Sequence, residues 1–138
     1  MAKPVGFKVL PHTAEIGLEI WGKDMEEFFQ NAGLGLLEIY GNISVPPRER
    51  KAALLRSGDP EALLVSWLNE IVYLVSAQRW IPSQITVVAA TPQTLKAELS
   101  GGKIPPGRLA REVKAATYHG LKIEREGNRL KARIIFDV

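Results

Sequence analysis

The sequence predicts an α+β fold: a single compact domain over residues 1–138, in which a mostly antiparallel sheet packs with two main helices. Three observations lead there. Ile16, Leu18 and Ile20 alternate with Glu15, Gly17 and Glu19, the period of a strand with one wet face. Asp59-Pro60-Glu61 is a helix start, and the ALLVSWLNEIVYLV that follows is apolar on nearly every side, as in a helix covered by strands. The stretches 120–126 and 129–138 flank Gly127-Asn128, a two-residue turn whose chemistry suits an antiparallel hairpin.

The remaining elements follow in order. Phe7 to Leu10 is a short strand, and Gly22 ends the alternating strand after it. Asp24 can accept from the free amides of a new helix, and Glu27 can reach back, as in a capping box. Met25, Phe28, Phe29, Ala32, Leu36 and Ile39 form the buried stripe of that helix, and Gly41 is its stop. Gly33 and Gly35 weaken helix propensity, which predicts another element in close contact there. Lys51 to Ser57, Gln84 to Thr91 and Thr94 to Gly101 read as strands, the last two joined across Pro92-Gln93. The stretch GGKIPPGRLAREVKAATYHG, with paired prolines and basic residues, reads as a long surface loop.

Composition narrows function by exclusion. There is no cysteine, so disulfides, thiolate chemistry and cysteine-based zinc sites are out. No apolar run approaches the roughly 20 residues of a membrane span, the N-terminal MAKPVGFKVLP has too short an apolar core for a secretory signal, and a cytoplasmic protein is expected. A net charge of +3 permits contact with RNA or an acidic protein without demanding it. Phosphate-loop, dinucleotide, G-x-S-x-G and RNP-type motifs are all missing.

The chemistry-bearing residues are few. Alternation in the last strand puts Asp137 on the polar face with Lys131 and Arg133, which makes it either an ordinary wet-face residue or part of a cation site. Asp137, the Val138 carboxylate and a third acid would be hard oxygen ligands suited to calcium, magnesium or manganese. Glu15 and Glu19 both qualify as the third acid, and no spacing rule selects between them. His12 and His119 are the only histidines and lack the spacing of a paired zinc motif, so each is either a turn residue or an acid, base or ligand. Lys114, with Arg108 and Arg111, forms a local basic cluster that is either solvated or able to meet phosphate or a partner's carboxylates.

Five separated stretches, in the right order, match one family. HTAEIGLEIWG at 12–22, EEFFQNAGLGLLEIY, LLVSWLNEIVYL at 63–74, VKAATYHGLKI at 113–123 and the closing RIIFDV resemble the motifs of the archease family. The resemblance implies a non-enzymatic accessory protein of a GTP-dependent RNA-splicing ligase. Such a protein promotes guanylylation of the ligase and multiple turnover in tRNA splicing or RNA repair, meeting tRNA or other RNA through the ligase. It also implies a divalent-cation site at Glu15 and Asp137, with the Val138 carboxylate and His119 as additions. Lys114 falls on the family's functional lysine, with His119 and His12 as further candidates for ligase activation. The chain departs from the pattern twice: Glu15 stands where the family has aspartate, and Ser66 replaces the aspartate before WLNE. The rival readings are a stand-alone metal-dependent hydrolase or nucleotidyl enzyme, and an RNA-binding, chaperone-like module.

Overall fold

The computed structural model describes residues 6–11 and 14–138. Among them, β1 (Phe7–Pro11) and β2 (Glu15–Gly22) lead into helix α1 (Met25–Tyr40). Then come β3 (Glu49–Arg56), helix α2 (Pro60–Gln78), β4 (Trp80–Ala90) and β5 (Thr94–Lys103). The chain finishes with β6 (Ala115–Thr117), β7 (Glu124–Glu126) and β8 (Arg129–Asp137). The strands form two sheets. One has the order β1-β2-β8-β6, with β7 also on β8, and the other has the order β3-β5-β4. Every pairing is antiparallel.

The helix starts follow the local chemistry. The Asp24 side chain accepts from the Glu27 amide at 2.8 Å, and the Glu27 carboxylate reaches back to the amide of Lys23, one residue before the cap. Gly41 ends α1 at φ 109°, in the left-handed region that favours glycine. The Asp59 side chain accepts from the Ala62 amide at 2.7 Å, with Pro60 in the first turn. Asp59→Ala is therefore expected to lower stability by about 1 kcal/mol, read as a shifted urea midpoint with an unchanged slope.

One core joins both sheets. It takes Ile16, Leu18 and Ile20 from β2, Ala132, Ile134 and Phe136 from β8, and Leu95, Ala97 and Leu99 from β5. Both helices touch both sheets. Trp67 of α2 is fully buried and donates from its indole nitrogen to the Phe29 carbonyl of α1 at 2.9 Å. The glycines of α1 admit their neighbours closely, as expected. A β-carbon at Gly35 would lie 2.7 Å from Leu18 Cδ1, and one at Gly33 would lie 3.0 Å from Ile85 Cδ1.

Three sequence expectations need adjustment. β4 begins at Trp80 rather than Gln84, because helix α2 closes at Arg79 in a left-handed conformation and the chain turns at once into the sheet. The stretch read as one long loop from Gly101 to Gly120 contains the end of β5 and all of β6. The first arm of the final hairpin is only β7, since residues 120–123 pass through a turn beside the sheet before pairing resumes. The hairpin itself forms as expected across Gly127, at φ 64°.

Candidate functional site

The β2–β8 register sets Glu15 and Glu19 apart. Glu15 stands directly opposite Asp137, whereas Glu19 stands opposite Arg133. Both carboxylates of the first pair lie on the outer face of the sheet, because Ile16 and Phe136, their neighbours in sequence, point into the core. Directly opposed residues of an antiparallel pair hold their β-carbons about 4.5–5.5 Å apart, and like charges at that spacing repel. Arg133 approaches Glu19 at 3.9 Å. Among the described residues, neither Glu15 nor Asp137 takes part in an ion pair.

The residue just before strand β6 meets the end of the same pair. Ala115 pairs with Asp137, and the Lys114 amide also donates to the Asp137 carbonyl at 2.8 Å. Two residues of one strand thus share one residue of the other, the pattern of a β-bulge, which re-aims side chains. Lys114, just before β6, thus meets the Asp137 main chain at the sheet edge, and its side chain is exposed. Arg108 and Arg111, its partners in the basic cluster, are exposed too. Val138 follows Asp137, half-buried against the core. A shallow depression lined by Leu10, Pro11, Glu15, Gly17, Arg133 and Ile135 lies next to the pair.

The histidines fare differently. His12 lies outside the described residues. His119 is exposed in the turn after β6, four residues past the partner of Asp137, and its amide donates to Thr117 Oγ1 at 3.4 Å. β6 runs from Ala115, opposite Asp137, to Thr117, opposite Ile135, so the chain leaves the carboxylate pair before it reaches His119. Among the described residues, no three histidine, aspartate or glutamate side chains converge as a metal centre. A cation between Glu15 and Asp137 would therefore draw its other donors from main-chain oxygen, solvent or residues beyond those described. Two opposed carboxylates fit such an ion in part: they offer hard oxygen and an unbalanced negative charge.

The remaining charges of this face are largely paired. Glu126 holds Arg129 at 3.2 Å and Lys131 at 3.5 Å, and the hydrogen bond from Arg129 keeps the Glu126 carboxyl below the usual carboxylate range. Arg129 and Lys131 also lie over the Trp21 ring.

Sequence reasoning gave no role to Asn69, in the WLNE stretch of α2. Its side chain brackets one residue of β6: Oδ1 accepts from the Ala116 amide at 2.7 Å, and Nδ2 donates to the Ala116 carbonyl at 3.2 Å. Ala116 faces β8 with neither of these groups, so the amide serves as the next strand would. An asparagine two residues after a buried tryptophan was the available signal, but its partner lies 47 positions away.

Comparison with known proteins now bears on this arrangement. The model of the Archease protein family matches residues 7–138. The chain belongs to the archease family. An archease of Sulfurisphaera tokodaii is 30% identical over 136 residues, covering 96% of this chain and 98% of that one. The crystal structure of an archease, possible chaperone, from Thermotoga maritima matches with a TM-score of 0.70 at 31% identity, covering 100% of this chain and 98% of that one. The solution structure of a Methanobacterium thermoautotrophicum protein matches with a TM-score of 0.77 at 29% identity, covering 98% and 100%. These archease relatives share the two-sheet, two-helix fold, and no described helix here is long and apolar enough to cross a membrane.

Proposed function

We propose that this chain is a non-catalytic accessory protein of a GTP-dependent RNA-splicing ligase. It promotes guanylylation of the ligase and repeated turnover in tRNA splicing or RNA repair, and it meets RNA through the ligase. The observation that supports this reading best is the opposition of Glu15 and Asp137 across β2 and β8, with the amide of Lys114 bonded to the Asp137 carbonyl. The three residues are far apart in sequence. They lie in separate stretches that resemble archease motifs.

In this reading, Glu15 and Asp137 hold a divalent cation, calcium or alternatively magnesium or manganese, with a main-chain oxygen of Val138 as a further donor. The ion offsets the repulsion between the two carboxylates and shapes the local charge that the ligase meets. Lys114 is exposed, and its ammonium is suited to a partner's carboxylate or a phosphate. Glutamate at position 15 reaches one methylene further than aspartate, which alters metal preference rather than removing the site. Ser66 lies half-buried on α2, one turn before Asn69, so the missing aspartate there would have extended the polar stripe toward β6.

The test is RNA joining by a cognate ligase under multiple-turnover conditions, with and without this protein. More product per ligase is expected with it, and no product from the protein alone. Lys114→Ala should fold normally, change stability by less than about 0.5 kcal/mol and stimulate joining at least several-fold less than wild type. Full stimulation by the folded variant would remove Lys114 from the mechanism.

A further inference from the structure

The segment from Glu112 to Ile123 runs antiparallel alongside helix α2 and is fastened to it at three points. The Ile123 amide donates to the Glu61 carboxylate at 2.8 Å, near the start of the helix. Asn69 brackets Ala116 in the middle. Arg79, just past the helix end, pairs with Glu112 at 3.2 Å. These three fastenings are unequal. The Arg79–Glu112 pair is exposed on both sides, and such pairs contribute little. The Glu61 contact lies beyond the turn, seven residues from Ala116. Only Asn69 holds β6 itself, two residues from Lys114.

Strand β6 has just three residues and sits at the edge of its sheet. On one side it is held by β8, through a register that already contains the Lys114–Asp137 bulge. On the other side, the Ala116 amide and carbonyl would face outward, and a short strand with one side unpaired frays readily. The Asn69 carboxamide matches both groups at once, donor to acceptor and acceptor to donor. We infer that Asn69 is the positioning residue for Lys114: its two-point bracket on Ala116 clamps β6 against β8 and so fixes the bulge that sets the lysine against Asp137. This deepens the ligase-activation reading and rests on it for its functional half.

Four proteins test it: wild type, Asn69→Ala, Lys114→Ala and the double variant. The first readout is independent of any ligase. Hydrogen exchange of the Ala116 and Lys114 amides, followed by NMR, should be at least tenfold faster in folded Asn69→Ala, while core amides of β2 and β8 keep their protection. The second is ligase guanylylation. Asn69→Ala and Lys114→Ala should each lower stimulation to a similar degree, about tenfold, and the double variant should fall no further, because both changes remove one function. Asn69→Asp keeps the acceptor for the Ala116 amide and loses the donor, so it should fall between wild type and Asn69→Ala in both readouts. It also serves as the variant if Asn69→Ala fails to fold. Unchanged exchange at Ala116 and Lys114, wild-type stimulation by the folded variant, or losses that multiply in the double variant would each overturn the inference. If wild type gives no stimulation, the ligase reading fails, and the exchange data alone still decide whether Asn69 fixes Lys114.

Discussion

Asp137→Asn is expected to leave the metal-free protein at least as stable as wild type and to remove the stabilisation that a divalent cation confers. The two halves follow from one geometry. Asp137 stands directly opposite Glu15 on the wet face of the sheet, so without a cation the pair costs about 0.2–1 kcal/mol of repulsion, which asparagine relieves. With a cation at a hundred times its dissociation constant, wild type gains about 2.7 kcal/mol by mass action, and the variant gains much less. The order of stability therefore reverses on adding metal. Glu15→Gln should behave the same way, whereas Glu19→Gln should not, because Glu19 faces Arg133 instead. Thermal melts with a chelator and with calcium, magnesium or manganese measure the crossing. Equal metal-induced shifts in wild type, Glu15→Gln and Asp137→Asn would return both carboxylates to ordinary surface charge.

Trp67→Ala is expected to cost about 3–5 kcal/mol, the range for removing a large aromatic side chain from a packed core. Trp67 is fully buried where the two helices meet. Its ring edge fills the space that Gly33 leaves open: a β-carbon there would lie 3.3 Å from Trp67 Cζ2. An alanine would leave that space without partner atoms on one side. Domains of this size are stable by about 5–15 kcal/mol in total, so the variant should unfold at a much lower urea concentration. Trp67→Phe keeps most of the burial and loses chiefly the bond to the Phe29 carbonyl, so its cost should be smaller. A loss below about 1 kcal/mol for alanine would mean that the core collapses into the space.

The helices were legible because their signals are local. Asp24 with Glu27, and Asp59 with Pro60, announce caps within four residues, and apolar spacing supplies the rest. The β2 alternation and the Gly127 hairpin were legible for the same reason. What the sequence hid depends on distant partners. Alternation put Glu15 and Glu19 on one face, but their partners on β8, set by pairing across more than a hundred residues, could not be read from either strand alone. Division into two sheets likewise depends on which strands meet. Strand β6 was invisible because three residues carry no period, and because the Asn69 carboxamide does the work of a flanking strand. The start of β4 was hidden by Arg79, a non-glycine residue in the left-handed conformation, and by Pro82 in the strand. The candidate metal pair came from the family resemblance, and geometry then supplied the opposition of its two carboxylates and the place of Lys114.

The most direct test of the functional reading is the yield of covalent ligase–GMP adduct. A cognate ligase would be incubated with labelled GTP and a divalent cation, with this protein at one-tenth the ligase concentration. If this protein is the activator, adduct should form on more ligase molecules than there are copies of this protein, and at least several-fold faster than without it. Asp137→Asn and Lys114→Ala, each folded, should lose most of that gain. Adduct formation at the same rate and to the same extent with and without the wild-type protein would contradict the reading.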